Sequence, residues 1–247
     1  MIPLKSEKDL ELMRQAGKIL ARVMQGVQGA VKEGITTVEL DGLAGDLIRK
    51  ANVIPAFKGY KGFPANLCAS VNEEIVHGIP GERRLKEGDI VSLDLGINLD
   101  GYFSDMAVTV GVGRISSLFK RLLEVTKKSL SEGIKEARVN NHISDISFAV
   151  QNYVERNGFS VVRQFVGHGI GKKLHEEPEI PNFGLSHKGE VLKSGMVLAI
   201  EPMVNIGSWE CVILDNGWTA VTKDGLSSAH FEHTVAVTEN GPEILTQ

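Results

Sequence analysis

Four acidic residues stand where an apolar core residue is expected. In the segment IVSLDLGINLDGYFSDMAVTV, Asp94 interrupts a run of core-type side chains and Asp105 sits on the returning apolar stretch. In the second half, Glu201 closes the run VLAIEP and Glu232 lies in AHFEHTVAV. A charge among apolar groups is costly unless it is paired or bound to a metal. One such acid is often half of a salt bridge, or a strand position that is only half buried. Four of them, two in each half, ask for a shared counter-charge. If Asn98-Leu99-Asp100-Gly101 is the turn, Ile97 pairs with Tyr102 and Asp94 faces Asp105. Directly opposed Cβ atoms lie about 4.5–5.5 Å apart, where like charges repel. Either something positive lies between the two carboxyls or one of them keeps its proton.

Histidines extend the set. His168 lies in FVGHGIG, between glycines that admit close approach of backbone or ligand. His175 follows in KKLHEEP, and His77 sits in EEIVHGIP after an apolar stretch. Neutral imidazole is the commonest protein donor to metals, and His168 has the surroundings of one. His142, His187, His230 and His233 lack that context and read as structural or solvated. Two Asp, two Glu and one His form a hard, oxygen-rich set that suits Mn²⁺, Fe²⁺, Co²⁺ or Zn²⁺ better than a thiolate site would. Two divalent ions balance about four carboxylate charges and still hold a bridging hydroxide, whereas one ion leaves the site strongly anionic. The helix-borne HExxH arrangement is absent.

The elements that must position these groups follow from periodicity. Leu10, Met13, Leu20, Met24, Val27 and Val31 share one helical face, with Ser6 as N-cap and Asp9 three residues on. A second helix is expected over Thr37–Asn52, a third over Ser117–Glu136, and a fourth from Ser144 to a stop at Gly158. Strands are expected over Ile90–Ile97, Tyr102–Val110, Val161–Val166, Val197–Val204 and Phe231–Val237. The order helix, helix, strands occurs twice. A faint echo between Lys32-Glu33-Gly34 and Arg138-Val139-Asn140 hints at two halves around a shared centre.

Length and composition bound the rest. A chain of 247 residues, 42% hydrophobic and 23% charged, builds one folded domain, read here as 1–247. A net charge of −4 and a pI near 6.0 argue against general nucleic-acid binding or a basic membrane surface. Cys68 and Cys211 are the only cysteines and form no CxxC pair, so neither a disulfide framework nor a zinc knuckle is indicated. The charged start MIPLKSEKDL does not resemble a signal peptide, and no apolar run approaches the roughly 18 residues of a membrane span. A cytoplasmic location is the expectation.

The acid hairpin DLG…DGYFSD, the loop GHGIG and the segments IEPM and FEHT occur in an order that resembles the type I methionine aminopeptidases. FKGYKGFP, VNEEIVHGIP and DNGWTAVTKDG resemble them as well, so the likeness runs from the first helix to the last strand. It implies an α+β, pita-bread fold: a curved antiparallel sheet with outer helices, in two pseudo-symmetric halves. It implies a dinuclear hydrolase that removes initiator methionine when the next residue is small, by attack of metal-activated hydroxide on the first peptide bond. The implied metal ligands are Asp94, Asp105, His168, Glu201 and Glu232. His175 would donate to the scissile carbonyl oxygen, His77 would contact the scissile amide nitrogen, and Glu201 would handle the nucleophile's proton.

The implied methionine pocket is Phe57, Tyr60, Phe63, Cys68 and Trp218, with His77 and His175 at its edge. Aromatic rings and sulfur suit a flexible thioether. Asn72 and Ser228 match a monovalent-cation site of some relatives. The implied partners are nascent polypeptide N-termini, at the ribosome, for a monomer that binds no nucleic acid stably and no membrane. By the same substrate rule Met1 stays on this chain, because Ile2 is bulky. Two features depart from the commonest pattern. Phe57 stands where several relatives have Cys, and ARVNNHISD replaces a Pro-Gly turn before the fourth helix. The rivals are a prolidase or aminopeptidase P, a catalytically dead relative with a binding role, and a carboxylate-metal phosphoesterase. The first needs an extra N-terminal domain for which the position of Asp94 leaves no room, and the second should lack a ligand.

Overall fold

A computed structural model describes residues 2–247, so the expectation about Met1 lies outside the described residues. In chain order, α1 (Glu7–Ala30) and α2 (Thr37–Lys50) lead to β1 (Ile54–Pro55), β2 (Leu67–Val71), β3 (Glu74–Val76), β4 (Ile90–Leu99) and β5 (Tyr102–Gly111). Then α3 (Ser117–Glu136) and α4 (Ile143–Arg156) lead to β6 (Ser160–Val161), β7 (Val166–Gly169), β8 (Glu176–Pro181), β9 (Val197–Ile200) and β10 (Met203–Asn205). The chain ends with β11 (Cys211–Ile213), β12 (Ala220–Thr222), β13 (Ser228–His230), β14 (His233–Thr238) and β15 (Gly241–Ile244).

Two helices followed by strands thus occur twice, as the sequence pattern predicts. Ser6 caps α1 and Thr36 caps α2, each closing a capping box with the acid three residues on, Asp9 and Glu39. The second helix stops two residues short of its expected end, and the fourth spans Ile143–Arg156, with Gly158 at φ +78 just beyond it. All strand pairs are antiparallel. The first half builds the order β1-β4-β2 with β5 on β4, and the second builds β15-β14-β9-β7-β8 and β13-β10-β6.

Leu93, Leu95 and Ile97 of β4 lie beneath Leu20 and Met24 of α1 and Leu40 and Ile48 of α2, all fully or almost fully buried. Each such side chain contributes about 1.5–3 kcal/mol of transfer free energy. In the second half Leu130 and Ile134 of α3 and Ile146 of α4 cover Leu198 of β9 and Val235 of β14. Strand side chains alternate faces, so residues between these core positions point away from the helices. That alternation sends Asp94 and Asp105 to the opposite, inner face.

Three expectations need correction. The β4–β5 turn is two residues, Asp100 and Gly101, at φ +49 and +88, and Leu99 pairs with Tyr102. Asp94 therefore lies opposite Ala107 and Asp105 opposite Gly96. The two acids share a face as diagonal neighbours, not as a direct pair, because a slip of two keeps the parity. Asp-Gly is the sequence of the two-residue primed turn, whose twist matches the strands. The stretch expected as one strand over Val197–Val204 divides at Glu201-Pro202 into β9 and β10, since Pro lacks a donor for the ladder. Val161–Val166 is likewise only the end of β6 and the start of β7.

Candidate metal centre

Each candidate ligand is set by a strand or a strand end. Asp94 is on β4, in register with Cys68 of β2 and with Ala107 of β5. His168 is on β7 beside Ala199 of β9. Both glycines around it serve close backbone approach: a Cβ on Gly167 would lie 2.4 Å from the Ala199 oxygen, and one on Gly169 would lie 2.2 Å from that of Glu177. Glu201 leaves β9 where Pro202 ends the ladder, and Glu232 lies between β13 and β14.

The two halves meet along β5 and residues 230–234, and again where β3 pairs with β12. The Thr109 hydroxyl donates to the His230 carbonyl oxygen (2.8 Å) and accepts from its N–H (2.8 Å). The Glu232 N–H donates to the Ala107 oxygen (2.8 Å). The Thr234 hydroxyl donates to the Asp105 oxygen (2.8 Å) and accepts from its N–H (3.0 Å). Asp105 and Glu232 are thereby held on neighbouring segments by bonds that fix their backbones and leave their carboxyls free.

Asp105, His168 and Glu232 are all buried, and each offers a ligand atom within 4.8 Å of the others. Asp94 and Glu201 complete the inner wall of the same cavity. His168 Nδ1 lies 2.9 Å from the Gly169 oxygen. A proton on Nδ1 makes that bond and turns the Nε2 lone pair to the cavity, 3.6 Å from Glu201 Oε1.

Asp94 Oδ1, Asp105 Oδ1 and Glu232 Oε1 are buried without a hydrogen-bond partner among the described residues. Burial pushes the Asp94 carboxyl up to about 7 and the Glu201 carboxyl up to about 7. Burial, with the charges of Asp94 and Glu201 added, puts Asp105 well above the usual range. Glu232 is raised in the same way by burial and by Asp105. Four carboxyls this close cannot all ionise at neutral pH unless a cation offsets them. Orphaned buried oxygens, a directed imidazole lone pair and acids pushed toward protonation by burial and by one another fit divalent ions with oxygen and nitrogen donors.

The predicted pocket residues line the cavity, which has a volume of about 170 Å³. Phe57, Tyr60, Phe63, Cys68, His77, His175 and Trp218 all face it. Phe63 and Trp218 meet edge to face at 5.1 Å between ring centres. Burial and the Asp94 charge push the Cys68 thiol up, so it remains a neutral wall group. Burial holds His77 near 4 and, with His168 and Lys61 adding to it, His175 near 3. His77 also adopts φ +58, an unusual backbone conformation for a non-glycine residue.

His175 Nδ1 lies 2.9 Å from Tyr60 Oη, and its ring lies 4.2 Å from that of His168. Asn72 and Ser228 are adjacent, with Ser228 N–H donating to the Asn72 carbonyl at 2.9 Å. Their side chains are already engaged: Asn72 Oδ1 accepts from Ile90 N–H and Ser228 Oγ donates to the Val204 oxygen.

Two further groups support the site: His230, read from the sequence as structural or solvated, and Lys5, which carried no mark. His230 is buried with Nε2 3.6 Å from Glu201 Oε2, and burial lowers its pKa, so a neutral ring backs that acid. Its neighbours in the chain carried no signal beyond Glu232. Lys5 Nζ donates to Glu176 Oε2 at 2.7 Å, with side-chain exposures of 5% and 7%. Glu176 Oε1 accepts from Lys173 N–H at 3.1 Å, which closes the short loop that presents His175. Lys5 is itself tied down by its N–H to the Gly195 oxygen at 2.7 Å.

The family model described as metallopeptidase family M24 matches residues 11–239. The methionine aminopeptidase of Clostridium perfringens is 56% identical over 246 residues, covering 100% of this chain and 99% of the relative. Methionine aminopeptidase 1 of Bacillus subtilis is 53% identical over 247 residues, covering 100% of both. The crystal structure of the methionine aminopeptidase of Thermotoga maritima superposes with a TM-score of 0.98 at 46% identity, covering 100% of both chains.

Proposed function

The chain belongs to metallopeptidase family M24, with the methionine aminopeptidases as its close relatives, and from that premise we infer how its residues divide the work. Its fold is the α+β pita-bread architecture, and it is a metal-dependent hydrolase that removes N-terminal methionine. We propose that Asp94, Asp105, His168, Glu201 and Glu232 hold two divalent ions, with Mn²⁺, Fe²⁺, Co²⁺ and Zn²⁺ all compatible with the donors. The observation that carries this is the convergence of two acids from each half, with orphaned buried oxygens, on one cavity. When bound, such ions supply Lewis acidity and a water of lowered pKa.

The other residues bind, orient and move protons. Phe57, Tyr60, Phe63, Cys68 and Trp218 take the methionine side chain and exclude water. Glu201, backed by His230, is the group to take and return a proton on the way to the leaving amine. With Tyr60 Oη donating to its Nδ1, neutral His175 carries its proton on Nε2 and donates to the scissile carbonyl oxygen as that gains charge. His77 contacts the scissile amide nitrogen.

The same proposal covers residues 1–247 acting as one catalytic domain. It extends to a cytoplasmic monomer working on nascent chains at the ribosome, with a preference for a small second residue. A monovalent cation beside Asn72 and Ser228 belongs to it as well. Metal-stripped protein should regain cleavage with Mn²⁺, Co²⁺ or Fe²⁺ and release Met from Met-Ala-Ser while sparing Leu-Ala-Ser and Ala-Pro-Ala. Cleavage before Pro would replace this reading with a prolidase, and no cleavage with any of the three ions would leave a binding role.

A further inference from the structure

His142 and His187, which read as structural or solvated in the sequence, come together over Asp145 on the outside of the second half. Their ring centres are 6.0 Å apart. One donor atom from each of the three residues lies within 4.8 Å of the others. None of the three belongs to the cavity of the candidate centre.

The site is pre-organised by backbone bonds between the connector before α4 and the segment before β9. Asn140 N–H donates to the Leu192 oxygen (3.0 Å), Ile143 N–H to the Glu190 oxygen (3.0 Å), and His142 bridges Val191. The three donors therefore do not have to be gathered when a ligand arrives.

Counting lone pairs shows what is left over. Asp145 is buried, and its Oδ1 accepts from the Ser186 hydroxyl (2.5 Å) and the His187 N–H (2.8 Å). Its Oδ2 accepts only from the His142 N–H (2.7 Å), which leaves that oxygen one free lone pair. His142 Nδ1 is buried, has no hydrogen-bond partner among the described residues, and lies 3.8 Å from that same Oδ2. His187 Nδ1 lies 3.5 Å from Oδ1 on the solvent side. A separation of 3.8 Å is too long for a proton to be shared as a hydrogen bond. It fits an ion bound at about 2.0–2.2 Å to each atom.

We propose that His142, Asp145 and His187 form a second, surface metal site for a divalent late first-row ion, with Zn²⁺ the representative. Two imidazoles and one carboxylate supply the donors, and exposed His187 leaves the other positions to water. The negative charge that suits the N-terminus of α4 is already present as Asp145, which offsets the helix dipole against a cation. The ion fastens the connector ARVNNHISD to the loop that runs on toward Glu201.

The test is Zn²⁺ bound per chain at equilibrium dialysis, for the whole protein and two variants. His187→Gly removes one imidazole where the backbone already has φ +61, which glycine accepts without strain. His142→Asn removes the other and leaves a good N-cap residue. Each variant is expected to bind one Zn²⁺ fewer than the unaltered chain. Each should also show a smaller Zn²⁺-induced rise in Tm. Because the readout is a difference, ions at the catalytic centre cancel from it. Equal Zn²⁺ per chain and an equal Tm rise in the unaltered protein and both variants would overturn the proposal.

Discussion

Replacing Lys5 by Met should destabilise the protein far more than replacing both Lys5 and Glu176. Lys5 and Glu176 are buried together at 2.7 Å, so the single variant strands a carboxylate. Breaking a buried pair from one side costs about 3–5 kcal/mol.

The expected loss for Lys5→Met is therefore about 3–5 kcal/mol. At an m-value near 3 kcal/mol/M the urea midpoint falls by about 1 M at pH 7. In Lys5→Met/Glu176→Gln the amide oxygen still accepts from Lys173 N–H, so most of the loss should return. Because that bond closes the loop bearing His175, kcat should fall in the single variant and recover in the double. The assay is urea unfolding at pH 7 and fixed metal concentration, with peptide kinetics alongside. A single variant as stable as the double refutes the reasoning.

Asp105→Asn should abolish turnover and weaken metal binding by more than about 100-fold, since even groups that only support a ligand are worth 10–100-fold; retained metal with full activity would contradict the assignment. His175→Ala should lower kcat by about 10²–10³ while metal content holds, because its proposed role is at the oxyanion. Tyr60→Phe loses one hydrogen bond of about 1 kcal/mol, so kcat should fall roughly fivefold with KM little changed. A rise in KM alone would place the hydroxyl on the substrate instead. Hydrogen bonds from Tyr102 and then Ser6 hold the Asp9 carboxyl at about 2. A depressed pKa stabilises the fold above the ordinary carboxylate value and loses that contribution as pH falls through about 2. The Tm gap between the unaltered protein and Asp9→Asn should accordingly narrow between pH 5 and pH 2.

What the sequence reveals depends on whether a residue is anomalous where it stands. Asp94 is legible because a carboxyl between Leu93 and Leu95 is out of place, whatever the register. Its cross-strand partner differs from the expected one because Asp-Gly builds a two-residue turn in place of a four-residue one. Parity protected the conclusion, since only a shift of one residue would have turned the acid into the helices. Glu201 is legible in the same way, and Pro202 is the residue that breaks the strand beside it. His230 and Lys5 escaped because their partners are remote. Lys5 and Glu176 are 171 residues apart, and no local pattern couples them. His142 and His187 are ordinary surface residues until backbone pairing brings their segments together.

The junction of β5 with residues 230–234 relies on two threonine hydroxyls as well as main-chain groups. A hydroxyl swings away with a single χ1 rotation, whereas a ladder must open along its length. Opening the halves along this line breaks those hydroxyl bonds and one main-chain bond, while the β3–β12 ladder holds the halves together elsewhere. The acids proposed to bind metal come from both sides of that line, so an ion held there would act as a crosslink. Linkage makes the relation reciprocal: the factor by which opening weakens ion binding is the factor by which the ion suppresses opening. Amide exchange at Asp105, His230 and Glu232 would then report the free-ion concentration, and loosening either threonine would show up as a leakier metal centre before any loss of fold.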